Sequence, residues 1–196
     1  MKNIFSAIIL SVLLTPSLCQ STTQGIYLSA NNFDCNKISF APVEGKRYKM
    51  FLHEVFYKPI VKIASGDSSY TFNKAAVWGY RDRDNIVYRF YKKHVYSLLN
   101  PGEVILLYSR TYLGGYRNSQ TVVSYYFSTD ANAPVELLTK GNLKNSFSAD
   151  TAFHDLLDIH FRNDIELIGY DSFYKMYKVN HVLQLAQQSL SKKTIQ

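Results

Sequence analysis

The chain has 196 residues, of which 46% are hydrophobic and 19% are charged, a composition typical of an ordered globular protein and not of a disordered one. The formal net charge of +7 favours anionic partners such as a polysaccharide or a lipid surface. No nucleic-acid-binding motif accompanies this charge, so nucleic acid is not expected as a partner.

The N-terminal residues 1–19 have the pattern of a secretory signal peptide. One lysine precedes the apolar run Ile4–Leu14, and Ser17 and Cys19 are the small residues expected before cleavage at Gln20. An apolar run of about eleven residues is too short to span a bilayer, and no later segment reaches the roughly 18 apolar residues of a membrane-spanning helix. The alternative is a lipoprotein in which Cys19 is acylated.

The predicted signal directs the protein to the periplasm, the outer envelope or the extracellular space. Cleavage leaves Cys35 as the only cysteine, so no internal disulfide can form and the core must hold the fold. We expect Cys35 to be a small buried or inert residue and not a nucleophile. Residues 20–24 form a polar, flexible leader before the ordered domain.

Strand patterns at short, regular spacing predict an antiparallel β-meander of barrel- or sandwich-like shape over residues 37–128. The 16 tyrosines and 12 phenylalanines agree with it, because aromatic side chains pack well on a pleated surface. Ser29 and Asn73 are expected to cap two short helical turns. The predicted strands are Lys37–Phe40, Tyr48–His53, Ile60–Ala64, Ser69–Phe72, Val77–Arg81, Ile86–Tyr91, His94–Leu99, Val104–Tyr108 and Thr121–Phe127.

The centre of the meander is Val77–Leu99, which is rich in aromatic and basic residues. Alternation puts Tyr88 and Phe90 on one face of the strand Ile86–Tyr91 and Arg89 on the other. We interpret its charged residues as outward side chains of a half-buried sheet.

After Asp130 the apolar residues change to a helical spacing, which predicts three or four helices over residues 135–188. A short turn is expected at Val135–Leu138, and residues 189–196 should fray. The predicted helices are Thr139–Phe147, Asp150–Phe161, the short Asp164–Gly169 and a last helix from Asp171 or Ser172 to about Gln188. The sequence therefore predicts a single α+β domain over residues 25–188, with the helices covering or extending the sheet.

Five segments of the mature chain form a recognisable pattern: Gly25–Leu28, Gly79–Asp82, Tyr88–Tyr91, Phe153–Leu157 and Tyr170–Asn180. In these segments the chain resembles a set of exported proteins of unknown function from Bacteroidetes-type bacteria. The resemblance extends over nearly the whole mature chain and implies export in a Gram-negative cell. It brings no activity, ligand or catalytic residue.

His154 and Asp158 are the candidate metal or acid–base residues. They are four residues apart on one face of a predicted helix, where they could share a metal ion or a proton. A metal site needs a third ligand from another element. The solvated polar face of an amphipathic helix, with an ion pair, explains the same residues without any chemistry.

His160 and Asn180 form a second pair, because each lies within the apolar stripe of a predicted C-terminal helix. A polar group buried without a partner costs about 1–3 kcal/mol. We therefore expect both side chains to be buried and hydrogen-bonded, either to each other or to the backbone of the β-module.

The predicted hairpin loop Thr111–Ser119 and its flank hold the candidate ligand-binding residues Arg110, Tyr112, Tyr116 and Arg117. Exposed loops carry binding residues more often than regular elements do.

The sequence contains no Gly-x-Ser-x-Gly, His-Glu-x-x-His, Cys-x-x-Cys, P-loop or dinucleotide-binding motif. We therefore expect a non-enzymatic exported module that binds an envelope component or protein, with no cofactor. The alternative is a hydrolase or metal-dependent enzyme without a known motif that uses His154 and Asp158.

Overall fold

The structure is a computed structural model that describes residues 24–52, 58–114 and 120–194. The predicted signal peptide, nearly all of the leader and the last residue of the predicted strand Tyr48–His53 lie outside the described residues. No helix in the described ranges is long and apolar enough to cross a membrane.

The described residues form antiparallel strands followed by helices, which confirms the predicted α+β class. The strands are β1 (Gly25–Tyr27), β2 (Tyr48–Phe51), β3 (Ile60–Ser65), β4 (Ser68–Asn73), β5 (Gly79–Arg81), β6 (Val87–Tyr91), β7 (His94–Leu98), β8 (Leu106–Gly114), β9 (Gln120–Ser128), β10 (Glu136–Leu137), β11 (Tyr170–Asp171) and β12 (Met176–Tyr177). The α-helices are α1 (Ala30–Asp34), α2 (Lys140–Ser146), α3 (Thr151–His160) and α4 (Lys178–Thr194), and two 3-10 helices span Lys74–Ala76 and Asp164–Ile168.

Seven strands form the main sheet, in the order β1-β5-β6-β7-β8-β9-β10. From β5 to β10 each strand pairs with the next along the chain, as expected for a meander, and β1 pairs with β5 at the edge. Strands β2, β3 and β4 form a separate small sheet, and β11 and β12 form a hairpin.

One face of the main sheet, here called the covered face, packs against both the small sheet and the helices. Val95 and Leu99 lie on this face, because residues four apart on a strand point the same way. Val95 packs with Phe90 against Val61 of the small sheet. Leu99 packs with the core of the helices, which includes Leu157. The covered face therefore joins two hydrophobic clusters through a single strand.

The opposite face is covered only in part, by α1 and the loop that follows β9. Trp78 stacks on Phe33 of α1 with ring centroids 4.1 Å apart, and its indole Nε1 donates to the carbonyl of Ala131 at 2.7 Å. The same cluster holds Leu98 and Tyr108 from the sheet. The rest of this face, towards the far ends of β7, β8 and β9, carries the candidate site.

The predicted last helix begins later than expected. In place of a helix from Asp171, the chain forms the β11–β12 hairpin, and α4 starts only at Lys178. The Asp171 carboxylate accepts hydrogen bonds from the backbone N–H groups of Phe173 and Tyr174, which closes a turn that competes with a helix. Phe173, in this turn, is exposed.

Smaller differences concern strand and helix ends. Lys37–Phe40 forms one isolated bridge, from Ser39 to Ile26, and not a strand. The predicted turn Val135–Leu138 contains β10, which pairs with β9. Strands β8 and β9 extend further than predicted, to Gly114 and from Gln120, and α4 continues to Thr194 where fraying was expected.

Candidate functional site

Seven residues on the open part of the opposite face form what we call the aromatic–basic surface. They come from β6, β7, β8 and β9, and strand register puts them on one face, because Tyr91 is directly opposite His94 and Arg110 directly opposite Ser124. The seven residues are Tyr91, His94, Tyr96, Arg110, Tyr112, Ser124 and Tyr126.

Tyr96 lies at the base of this surface and links its aromatic rings. Its ring is 4.9 Å from that of Tyr126 and 6.3 Å from that of His94, both in edge-on arrangements. Burial raises the pKa of Tyr96, and the charge interaction with Tyr126 raises it further. These edge-on contacts hold the rings in defined orientations, so the surface is ordered before any ligand arrives.

Tyr112 is the most exposed aromatic residue of the surface, with 42% of its area accessible. Its hydroxyl is 3.2 Å from the Ser124 hydroxyl, and the Arg110 guanidinium carbon lies 6.0 Å from its ring centroid. The Arg110 guanidinium therefore lies over the Tyr112 ring, so a cation and an aromatic ring are immediate neighbours on this surface.

The surface is positively charged. Within the described ranges, the only salt bridges join Asp158 to Lys140 and Lys144, so Arg110 has no acidic partner there. Burial, followed by the positive charges of Arg110 and Lys93, holds the pKa of His94 below its ordinary value. The lowered pKa favours the neutral imidazole of His94, so Arg110 is the cation among the seven residues.

Arg89 lies beside this surface and is buried, which corrects the prediction that it points outward. Only 4% of its area is accessible. Its guanidinium donates to the Tyr108 and Ser128 hydroxyls, each at 3.0 Å, and to the Ala133 carbonyl at 2.8 Å. The reason is that α1 and the loop after β9 cover this part of the face.

Arg89 also lies against three aromatic rings, at 5.6–5.8 Å from their centroids, and these belong to Trp78, Tyr91 and Tyr108. It thereby links the loop after β9 to Tyr91 of the aromatic–basic surface. One sequence signal could have indicated this burial: Val87, two residues earlier on the same face, is apolar.

The structure describes two of the four residues of the predicted loop site and adds residues from other strands to them. Arg110 and Tyr112 lie on β8 as regular strand residues, whereas Tyr116 and Arg117 lie outside the described residues. The sequence pattern of the basic stretch around His94 predicts ordinary outward charges and not a part of this site. The meander brings Tyr91 and His94 from that stretch onto one face with Arg110.

His154 and Asp158, the candidate metal or acid–base residues, each contact a different neighbour. The His154 Nε2 is 3.0 Å from the Phe147 carbonyl, while Asp158 is 2.6 Å from the Lys144 ammonium on α2. The hydrogen bond from Lys144 lowers the pKa of the Asp158 carboxyl. Among the residues that the structure describes, no group of three or more His, Cys, Asp or Glu side chains could hold a metal ion.

The prediction that His160 and Asn180 are both buried is confirmed for Asn180 and wrong for His160. Asn180 is buried, and its side-chain amide accepts from the Ile105 N–H at 2.8 Å and donates to the Ile105 carbonyl at 2.9 Å. His160 is exposed at the C-terminal end of α3, because the helix ends there and the apolar stripe continues in Phe161. Cys35 is exposed and not buried.

No protein-family model, curated protein or solved structure matches this chain significantly.

Proposed function

We propose that this protein is an exported, non-enzymatic binding module of the cell envelope or extracellular space, and that its aromatic–basic surface binds an anionic polysaccharide. The observation that carries the proposal is Arg110, a cation without an acidic partner in the described ranges, beside the exposed ring of Tyr112. Export rests on the sequence pattern of residues 1–19.

The chemistry of the surface suits an acidic sugar. A guanidinium pairs with a carboxylate through two parallel hydrogen bonds, which selects planar anions. A tyrosine ring offers an apolar body with a polar end, on which the C–H face of a pyranose can rest while its hydroxyls reach Ser124 or the phenol. Arg110 and Tyr112 are thus close enough for a single sugar unit to pair its carboxylate with the guanidinium and rest on the ring.

The described residues support binding more than cleavage. Glycoside hydrolysis uses two carboxyl groups that flank the bond, and no Asp or Glu belongs to the seven residues of the aromatic–basic surface. The alternative of a hydrolase or metal-dependent enzyme that uses His154 and Asp158 has no supporting contact, since each side chain is bonded elsewhere.

The first experiment is calorimetric titration of the mature protein with a soluble polyuronate and with neutral dextran. Arg110→Gln should weaken polyuronate binding about tenfold or more, because a charge-assisted hydrogen bond is worth roughly 1.5–3 kcal/mol. Arg162→Gln is the matched control, since Arg162 is exposed outside the surface and should bind as the unaltered protein does.

Tyr112→Ala tests the aromatic half of the site in the same titration. Its control is Tyr70→Ala, because Tyr70 has an accessible fraction of 41% against 42% for Tyr112. Only the Tyr112 variant should lose affinity. Equal binding of dextran and polyuronate, or equal losses in the test and control variants, would contradict the proposal.

A further inference from the structure

The β11–β12 hairpin, Tyr170–Tyr177, presents large aromatic side chains to solvent. Phe173, in its turn, has 83% of its area accessible, and it is the most exposed large hydrophobic residue in the described ranges. Tyr170 and Tyr174 are also at least half exposed. Several large apolar side chains grouped on one protrusion indicate an interaction surface, whereas single ones do not.

The hairpin turn is built by specific contacts. The Asp171 carboxylate accepts from the N–H groups of Phe173 at 2.9 Å and Tyr174 at 3.2 Å. Lys175 has a φ of 54°, which a non-glycine residue rarely adopts. At the base, Tyr170 is paired with Tyr177, and their rings meet edge-on at 5.4 Å. The exposed rings therefore belong to a defined turn.

The hairpin is also fixed to α4 and, through α4, to the core. The Tyr174 ring lies 3.8 Å from the His181 ring, and the Lys178 N–H donates to the Gly169 carbonyl at 2.8 Å. Val179 and Leu183 of α4 are buried in the helical core. A partner that binds the hairpin thus meets rings that are already in position, which lowers the entropic cost of binding.

The hairpin and the start of α4 carry more positive than negative charge. From Tyr170 to Lys178 the chain has two lysines, Lys175 and Lys178, and one acidic residue, Asp171, whose carboxylate is bonded within the turn. Lys175 and Lys178, next to the aromatic rings, are exposed. An anionic partner is therefore complementary to this part of the molecule.

The acidic residues on the neighbouring elements are engaged in internal hydrogen bonds. Asp164 accepts from the Lys140 N–H, and Glu166 accepts from the Arg162 N–H. Glu103 accepts from the Asn100 side chain. The three carboxylates keep their negative charge but are fixed by these contacts, whereas Lys175 and Lys178 are exposed beside the aromatic rings.

We propose that the β11–β12 hairpin docks on the surface of an anionic lipid bilayer, with Phe173 inserted between the headgroups and Lys175 and Lys178 against them. Aromatic side chains favour the membrane interface, and each lysine near an anionic surface adds to the attraction. A second copy of the chain fits less well, because a symmetric contact would bring two sets of lysines together. This site is separate from the aromatic–basic surface.

The experiment is co-sedimentation of the mature protein with phosphatidylcholine vesicles, with and without phosphatidylglycerol. Binding should require phosphatidylglycerol and weaken at high salt. Phe173→Ser should lower the partition coefficient about tenfold, since its phenyl ring no longer leaves water. Ile159→Ser is the matched control, because Ile159 is 73% accessible on α3, and it should bind as the unaltered protein does.

Two further variants make the test specific. Lys175→Gln combined with Lys178→Gln should reduce binding to anionic vesicles and remove most of its salt dependence. Arg110→Gln should leave vesicle binding unchanged, so failure of the polysaccharide proposal does not affect this one. Unchanged binding of Phe173→Ser would overturn the membrane proposal. The proposal would also be overturned if the protein did not bind vesicles and instead sedimented as a dimer that Phe173→Ser dissociates.

Discussion

At the scale of single residues, the hydroxyl groups of buried tyrosines have unequal roles. The Tyr108 hydroxyl contacts both the Arg89 guanidinium and the Ser128 hydroxyl at 3.0 Å. The Tyr48 hydroxyl is buried and has no hydrogen-bond partner among the described residues. Since a buried polar group without a partner costs free energy, the two hydroxyls should contribute to stability with opposite signs.

Replacing each tyrosine by phenylalanine tests this difference. Tyr108→Phe should lower the free energy of unfolding by about 1–2 kcal/mol, because Arg89 loses a buried acceptor. Tyr48→Phe should leave it unchanged or raise it by up to about 1 kcal/mol. Urea unfolding measures both, and a larger loss for Tyr48→Phe would contradict the assignment.

Tyr48 also makes stability depend on alkaline pH. Burial raises its pKa to about 12 from 10.0, so the unfolded chain releases the phenolic proton first. The pH-dependent contribution of this phenol to the free energy of unfolding is fully present below pH 10 and is lost as the pH rises towards 12. Urea titrations between these two pH values should show a smaller loss in Tyr48→Phe than in the unaltered protein.

His94 gives the proposed polysaccharide site a pH dependence. Its pKa lies below 6.5, and a bound carboxylate favours the protonated imidazole, so binding takes up a proton. Affinity for polyuronate should therefore rise as the pH falls below 6.5. For folding the sign is reversed, because the unfolded chain binds this proton more readily, and stability falls over the same range.

Calorimetric titration between pH 7.5 and pH 5 checks the prediction for binding. His94→Gln should remove the increase in affinity at low pH. His160→Gln is the control, because His160 is exposed on α3 and should leave the increase intact. An increase that persists in His94→Gln would show that another group takes up the proton.

The residue scale also shows where sequence reasoning succeeds. Ser29 and Asn73 cap helices as their types and positions predict, because a cap depends on local backbone geometry. Local backbone geometry does not predict the burial of Arg89, for which the apolar Val87 on the same face is the one sequence signal. Alternation assigns a residue to a face, but only the packing of α1 and the loop after β9 decides which part of the face is covered.

At the scale of elements, Asn180 joins α4 to the main sheet. Its amide bonds both backbone groups of Ile105, just before β8. The link explains why a polar residue occupies the apolar stripe of a helix that is otherwise buried through Val179 and Leu183. The apolar spacing predicted Asn180 on the inner face, but it could not separate Asn180 from the exposed His160.

Asn180→Ala should lower the free energy of unfolding by about 2–3 kcal/mol, because the buried Ile105 N–H loses its acceptor. His160→Ala should change it by no more than about 0.5 kcal/mol, as expected for a surface site. Thermal or urea unfolding measures the two variants side by side. Equal losses would mean that Asn180 is not the contact that matters between α4 and the sheet.

At the scale of the whole molecule, the covered face of the main sheet connects the small sheet and the helices through β7. The sequence predicted the order of the main strands and helices, but not the short strands β1 and β10 or the β11–β12 hairpin. It could not predict that the small sheet and the helices pack on the same face of the main sheet. The alternation in a strand separates its two faces but does not say what covers each of them.

One domain should unfold in one transition. Trp78, the only tryptophan, lies in the cluster on the opposite face, whereas Leu157 is fully buried among the helices. Leu157→Ala should cost about 2–5 kcal/mol. It should shift the tryptophan fluorescence and the helical circular dichroism to the same new urea midpoint. Separate midpoints would show two units.

The edges of the two sheets differ in a way that bears on solubility. The main sheet ends in β1, where Ile26 is bridged by Ser39, and in the two-residue β10. The small sheet ends in β4, Ser68–Asn73, which has six residues without charge or proline. Free backbone groups on such an edge can pair with another chain. Aggregation at high protein concentration should therefore begin at β4. Ser69→Lys should slow it, because it puts a charge on this edge.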